Sequence, residues 1–200
     1  MTKDSRASMV RSAASLIRTR GVNATSFSDV LAASGAPRGS IYHHFPRGKE
    51  QLAEDAIRWT AERVLAHQRE CPATTASGVL ECFIDMWRQT VLASGGAAGC
   101  VVAGVAIDTA PGEEGLIVVV RAAFQSWVDL LTDQLQAVGV PAGRAPGIAL
   151  ATLAGMEGAL ILCRAEGHVG PLETIAAELF RLLPPVPLSG KKGQSPTTKE

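Results

Sequence analysis

The sequence predicts an all-α protein of about nine helices. Across most of its 200 residues, apolar side chains recur at the three- and four-residue spacing of an amphipathic helix. Glycines separate these segments, as at Gly21, Gly35 and the pair Gly95 and Gly96. This pattern predicts separate helices joined by short turns.

The expected helices can be placed along the chain from their start and stop signals. Thr25 or Ser26 is the expected N-terminal cap of the second helix, and Pro37 fits the first turn of the third. Two stretches have the β-branched composition of strands, residues 99–109 and 116–120. The second leads without a break into a helical pattern and is assigned to a helix, whereas the first stays ambiguous. The predicted helices cover residues 5–20, 26–34, 37–44, 48–69, 75–92, 113–138, 145–166 and 172–183.

Composition argues against several classes of protein. With 46% hydrophobic and 4% aromatic residues, the chain can bury one large core, or one core plus a small module. No apolar run reaches the roughly 18 uncharged residues of a membrane helix, and early charges argue against an export signal. The four cysteines lack C-x-x-C spacing. We therefore expect buried, reduced thiols in a cytoplasmic protein, with no metal and no cofactor.

The net charge of zero hides a strong asymmetry along the chain. Residues 1–49 contain eight Lys or Arg against two acidic residues, which gives +6, and residues 50–200 carry −6. A basic block in a neutral protein is typical of a module that binds nucleic acid. A solvated helix face is the alternative if charge is taken alone.

Residues 25–49 predict a helix-turn-helix, in which the second short helix enters the major groove of DNA. A turn at Gly35 joins the two helices. The second helix begins with small and polar side chains and has apolar anchors on its inner face: Arg38, Gly39 and Ser40, then Ile41 and Phe45. On these features alone, an ordinary helical hairpin stays open as the alternative.

The stretch GVNATSFSDVLAASGAPRGSIYHHFPRGKEQL, residues 21–52, resembles the TetR family of bacterial one-component repressors. Its segment GSIYHHFP is highly specific for that family. Further along, Gly99 and Cys100 precede VVAGVAIDTA and a helix with Phe124 and Trp127, which is similar to the LmrA/YxaF-type branch. Residues 47–49 depart from the usual shorter polar turn, although the lysine that starts the next helix is kept.

This resemblance implies which residues contact DNA. Arg38 is expected to pair with guanine, whereas Tyr42 and Lys49 are expected to hold phosphates. The full predicted DNA-binding set is Thr25, Ser26, Arg38, Gly39, Ser40, Tyr42, His43 and Lys49.

Small residues in the helix over 145–166 predict a homodimer. They recur every four positions, which lets a second helix approach closely, and the last helix adds an apolar stripe. Packing of both helices within the monomer is the alternative. The predicted dimer residues are Gly147, Ala151, Gly155, Ala159, Leu172, Ile175, Leu179 and Leu182.

Aromatic and methionine side chains gather in the middle helices, where they would line a pocket for an apolar ligand or else belong to the core. Asp85, Asp108 and Glu157 would favour a cationic ligand if they faced that pocket. The predicted ligand-binding residues are Trp59, Phe83, Met86, Trp87, Cys100, Phe124, Trp127 and Met156.

These expectations combine into one domain layout and one function. Residues 1–48 form a DNA-binding domain, residues 49–183 a ligand-binding and dimerisation domain, and residues 184–200 a disordered tail. No acid–base or nucleophilic set typical of an enzyme is visible. The resemblance implies a dimeric repressor that binds a near-palindromic operator and is released by a small hydrophobic compound. A helical ligand-binding or interaction protein without specific DNA binding is the alternative.

Overall fold

The computed structural model describes residues 2–109 and 114–185, and its regular structure over these residues is entirely helical. The predicted all-α class is therefore confirmed. Residues 186–200 of the predicted tail lie outside the described residues, as does residue 113 at the start of one predicted helix. The helices are α1 Thr2–Arg20, α2 Phe27–Ser34, α3 Ser40–His44, α4 Lys49–Arg69, α5 Ala76–Ser94, α6 Val101–Asp108, α7 Glu114–Ala137, α8 Ala145–Glu166 and α9 Gly170–Arg181.

The ambiguous stretch 99–109 contains a helix, α6. Its valines Val101, Val102 and Val105 are buried, so tertiary packing overrides their preference for strands. The Cys100 side chain caps the helix by accepting a hydrogen bond from the Ala103 N–H at 3.5 Å.

The third helix begins later than predicted. Pro37 was expected in its first turn, but residues 37–39 form a separate turn in which the Ser40 N–H donates to the Pro37 carbonyl at 3.0 Å. The helix ends at His44, where Pro46 restricts the residue before it. Helix α3 is consequently only five residues long.

An apolar cluster holds the first three helices together. Met9 and Ile17 of α1, Val30 of α2, and Ile41 and Phe45 from α3 and its end are all buried. Each such side chain contributes roughly 1.5–3 kcal/mol by leaving water. Because α1 also packs against α4 and α6, this N-terminal unit is joined directly to the rest of the molecule.

The larger core lies among α4, α5, α7, α8 and α9. Trp127 of α7 is buried at its centre and donates from its indole N–H to the Ala61 carbonyl of α4 at 3.2 Å. Leu131 and Leu135 continue the same face of α7, and Leu160 is buried on α8, which packs against α7. The α7 and α8 helices are long and apolar enough to cross a membrane, but both pack in this core and both carry charged residues.

The cysteine expectation was wrong for one pair. Cys71 follows α4, Cys82 lies on α5, and the two form a disulfide across a Cα–Cα distance of 6.1 Å. Cys100 and Cys163 are free and buried, as expected. The disulfide ties the C-terminal end of α4 to α5.

Candidate DNA-binding surface and ligand cavity

The turn before α3 and the exposed face of α3 carry half of the predicted DNA-binding residues. Arg38, Gly39, Tyr42 and His43 are all exposed, and Tyr42 shows 69% of its surface to solvent. The Tyr42 ring packs edge-on against Phe27 of α2, with ring centroids 5.6 Å apart. Tyr42 thus lies exposed at the junction of α2 and α3.

A capping box fixes the start of α2. The Ser26 hydroxyl accepts from the Asp29 N–H at 3.2 Å, and the Ser26 N–H donates to the Asp29 carboxylate at 3.0 Å. The Ser26 hydroxyl also donates to that carboxylate, at 2.6 Å, which lowers the pKa of Asp29. A phosphate contact by the Ser26 hydroxyl therefore has to compete with this cap.

The predicted role of Thr25 is corrected by its burial. Its side chain is 4% exposed and its hydroxyl donates to the Gly21 carbonyl at 2.8 Å, so this group is committed inside the turn. The Ser40 hydroxyl likewise donates to the Pro37 carbonyl, at 2.7 Å. Thr25 is a structural residue of the α1–α2 loop.

Two basic residues at the start of α4 and just before it bind the α1–α2 loop and α4 itself. The Lys49 ammonium donates to the Asn23 carbonyl of the α1–α2 loop at 3.0 Å, while the side chain stays exposed. Arg47 donates two hydrogen bonds to Glu54, at 3.1 and 2.9 Å, which lowers the pKa of that carboxyl. Lys49 is thus positioned beside the loop that precedes α2.

Two further contacts join the N-terminal unit to later helices. The Asp108 carboxylate, at the end of α6, accepts from the backbone N–H of Val22 at 2.7 Å and of Asn23 at 3.4 Å. On the other side, Arg164 of α8 donates to the Thr19 carbonyl at 2.7 Å. The C-terminal end of α1 and the loop after it are therefore held by both α6 and α8.

A cavity of about 270 Å³ opens between α1, α4, α5 and the start of α6. Three of the predicted ligand residues line it: Trp59, Met86 and Trp87. Its basic lining residues are Arg11, Arg18, Arg63 and His67, and its lining includes no Asp or Glu. We name this space the α1–α4 cavity.

A second cavity of about 220 Å³ lies between α1, α6 and α8, and Arg18 lines both. Cys100 and Glu157 line this second space. Burial raises the pKa of Glu157 to about 7, although a hydrogen bond with Cys100 opposes the shift. Burial, and then the nearby Glu157 charge, raise the pKa of the Cys100 thiol. The Cys100 thiol therefore stays protonated near neutral pH, where the Glu157 carboxyl is about half ionised.

The remaining predicted ligand residues are core residues in this structure. Phe83 and Trp127 are 1% exposed and border only a void too small for water. Met156 is fully buried. Phe124 is half-buried against Trp127, with ring centroids 5.6 Å apart. Neither of the two cavities includes these four, so the structure does not support their assignment to a ligand site.

Sequence reasoning missed the arginines of the α1–α4 cavity. Arg11 and Arg18 lie two helical turns apart on α1, a spacing that places them on one face, and this was the only available signal. Of the three acidic residues considered for a ligand site, Asp108 and Glu157 line the second cavity, whereas Asp85 is in an ion pair and lines neither cavity.

Part of the predicted dimer set lies inside the protomer. Ala159 and Leu172 are fully buried and Leu179 nearly so, so these three cannot face a partner. A Cβ placed on Gly155 would lie 3.1 Å from the Ile175 side chain of α9, so these two also face each other within the protomer. Gly147 and Leu182 are exposed and Ala151 is half-exposed. The exposed apolar face of α8 comprises Gly147, Leu150, Ala154, Gly158, Ile161 and Leu162.

Comparisons with known proteins cover both halves of the chain. Residues 10–56 match the family described as bacterial regulatory proteins, tetR family. Residues 76–178 match the domain described as transcriptional regulator LmrA/YxaF-like, C-terminal domain. The HTH match thus contains α2 and α3, and the second match begins at α5.

Relatives and a solved structure agree with these matches. The uncharacterized HTH-type transcriptional regulator Rv0196 of Mycobacterium tuberculosis is 41% identical over 180 residues, or 88% of this chain and 92% of the relative. The HTH-type transcriptional regulator LmrA of Bacillus subtilis is 27% identical over 90% of this chain and 97% of its own. A TetR-family regulator structure from Agrobacterium tumefaciens superposes with a TM-score of 0.77 at 27% identity, over 92% of this chain and all of that one. The chain therefore belongs to the TetR family of transcriptional regulators and carries the LmrA/YxaF-like C-terminal domain.

Proposed function

We propose that this regulator is a ligand-responsive repressor that binds a near-palindromic operator as a homodimer and is released by a small hydrophobic compound. The observation that supports the proposal is that a helix-turn-helix surface and a cavity are connected by one helix. An exposed, basic helix-turn-helix surface shares helix α1 with a cavity lined by aromatic side chains.

The DNA contacts are assigned to the exposed face of α3 and its flanks. Arg38 forms the bidentate contact to guanine, a pairing worth about 1–3 kcal/mol of discrimination. Tyr42 and Lys49 hold phosphates on either side, with Gly39 allowing close approach of the backbone. His43, Ser40 and the N-terminal end of α2 at Ser26 complete the surface.

The dimer is assigned to the exposed apolar face of α8 together with Leu182 after α9. Leu150 and Ile161 are each 57% exposed, and the intervening Gly158 has open space where a side chain would stand. A glycine between two exposed aliphatic residues lets a partner helix approach closely. A two-fold partner places two α3 helices roughly 34–36 Å apart, one turn of DNA.

Release follows from a shift between conformations. A ligand that binds more tightly to a protomer with a different position of α1 relative to α4 lowers the fraction that fits the operator. The contacts of Asp108, Arg164 and Lys49 with the α1–α2 region are the connections through which that change moves α3.

The test is a gel shift with DNA from the gene's own upstream region at fixed, stated salt. We expect one specific complex, whose affinity falls about 5–150-fold in Arg38→Ala and less in Tyr42→Phe. Arg121→Ala is the matched control, because Arg121 is an exposed arginine on α7. Absence of sequence-specific binding to any DNA would contradict the proposal and favour a ligand-binding protein without an operator.

A further inference from the structure

The α1–α4 cavity has a charge that the predicted hydrophobic ligand does not explain. Arg11, Arg18 and Arg63 line it, and among the residues that the structure describes none of the three pairs with a carboxylate within 4.0 Å. By contrast, Arg6, Arg47 and Arg88 elsewhere in the molecule all have acidic partners. The cavity therefore concentrates positive charge that its surroundings leave uncompensated.

Arg18 and Arg63 differ in burial, since Arg63 is exposed. Arg18 is half-buried between the two cavities, and burial lowers the pKa of its guanidinium. The Arg63 guanidinium stacks over the Trp59 ring, 5.0 Å from its centroid. For Arg18, partial desolvation without a counter-ion is unfavourable, and an anion bound beside it reduces that penalty.

The indole N–H of Trp87 is a second polar group in the cavity lining that lacks a partner among the described residues. Trp87 itself is 4% exposed. A buried donor without an acceptor is costly, so a ligand oxygen that reaches it gains affinity. The indole also provides, with Trp59 and Met86, flat apolar surface for a ring.

We propose that the α1–α4 cavity binds a small aromatic acid, with its carboxylate against Arg18 and Arg63 and its ring between Trp59, Met86 and Trp87. The volume of about 270 Å³ lies just under the usual range for ligand pockets, so it selects one-ring acids. Guanidinium groups match a carboxylate with paired N–H donors, and the absence of acidic lining residues excludes amines. This inference rests on the proposed function only in making the acid the releasing ligand.

The binding test uses the full chain without DNA and compares shape-matched ligands by titration calorimetry. The acids are benzoate, phenylacetate and cinnamate, and the controls are their neutral amides and benzylamine. We expect at least one acid to bind about tenfold or more tightly than its amide, since hydrogen bonds to charged groups are the stronger ones. Amides that bind as tightly as acids, or an entire panel that fails to bind, would overturn the proposal.

Variants then locate the site. Arg18→Gln and Arg63→Gln should each weaken acid binding about tenfold and leave amide binding unchanged. Trp87→Phe should weaken acid binding by less than about tenfold. Arg121→Gln on α7 removes the same charge away from the cavity and should bind like the unmodified protein. Acid affinity that persists in the Arg18→Gln, Arg63→Gln double variant would overturn the site. The acid–amide comparison on the unmodified protein does not depend on the folding of any variant.

Operator release is measured separately, so the two proposals fail in different ways. Acids that bind the free protein without releasing the operator contradict the release step and support the cavity assignment. An operator complex that is released by neutral compounds, from a protein that binds none of the acids when free, supports the repressor function and overturns the acid-binding site.

Discussion

Replacing Asp108 with alanine tests the contact between the end of α6 and the α1–α2 loop. The carboxylate accepts a hydrogen bond from the Val22 N–H at 2.7 Å and a longer one from the Asn23 N–H at 3.4 Å. A hydrogen bond to a charged group contributes about 1.5–3 kcal/mol to stability. Because Asp108 is partly exposed and only one of its two bonds is short, we expect a loss near the lower end, about 1.5–2 kcal/mol.

The assay is reversible unfolding followed by circular dichroism. For a chain of this length, about 1.5–2 kcal/mol corresponds to a fall in Tm of roughly 3–8 °C. Asp108→Asn keeps an oxygen acceptor and should lose about half as much stability. Asp133→Ala is the control, because Asp133 is exposed on α7, and its effect should stay within about 0.5 kcal/mol.

Two results would refute the reasoning about Asp108. One is an Asp108→Ala protein that unfolds within about 0.5 kcal/mol of the unmodified chain, which is the scatter of ordinary surface substitutions. The other is an equally large loss in Asp133→Ala, which would make the effect one of net charge. Either result would mean that α6 does not hold the α1–α2 loop.

Two further predictions concern buried chemistry. Thiol titration of the unfolded chain without reductant should detect two free thiols, and four would contradict the disulfide. Cys71→Ser should lower the free energy of unfolding by about 2–3 kcal/mol, because the disulfide closes a loop with a sequence separation of 11 residues. For Glu157, the folded pKa of about 7 exceeds the ordinary carboxyl value of 4.5, so the contribution of this group to stability is fully present below about pH 4.5 and is lost as pH rises through about 7. The free energy of unfolding in urea should therefore be measured for Glu157→Gln and for the unmodified protein at pH 5 and at pH 8. From pH 5 to pH 8 the variant should become about 2–3 kcal/mol more stable relative to the unmodified protein, whereas the exposed control Glu62→Gln should show no such change.

Local signals explain why the DNA-facing part could be predicted from the sequence. Ser26, Asp29 and Gly35 act within a few residues of themselves, as a capping box and a left-handed C-terminal cap with φ of 68°. Thr25 shows the limit of such reasoning. Either Thr25 or Ser26 suits a cap, and only the packed structure shows that the Thr25 hydroxyl turns inward to Gly21.

The small-residue row on α8 shows a different limit. Four residues along an α-helix advance 400°, so each step in the row turns it by roughly 40°. Over the twelve residues from Gly147 to Ala159 the row turns about 120°, which carries it from an exposed face into the core. Because α8 is rich in small and apolar residues on every face, its sequence does not distinguish the side that packs on α9 from the exposed one.

Long-range partners were beyond the reach of the sequence for another reason. The pairing of Cys71 with Cys82 depends on how the chain turns between α4 and α5, and spacing alone does not specify that turn. Arg11 and Arg18 look like solvated residues of a basic helix until α4 and α5 are placed opposite them. Charge is visible in a sequence, but the absence of a counter-charge is a property of the fold.

The position of the α1–α4 cavity determines how much binding free energy a ligand can contribute to the release of the operator. Moving a two-state equilibrium from 1:99 to 99:1 needs a differential binding free energy of about 5.5 kcal/mol. If a carboxylate contacts Arg18 on α1 and Arg63 on α4 only in the released conformation, charged hydrogen bonds of about 1.5–3 kcal/mol each supply about 3 kcal/mol or more per protomer. Two protomers of a dimer then reach the required amount. Since Arg18 lies on the same helix as Ile17 of the N-terminal core, that energy acts on the DNA-binding unit through α1 itself, in addition to the contacts of Asp108, Arg164 and Lys49.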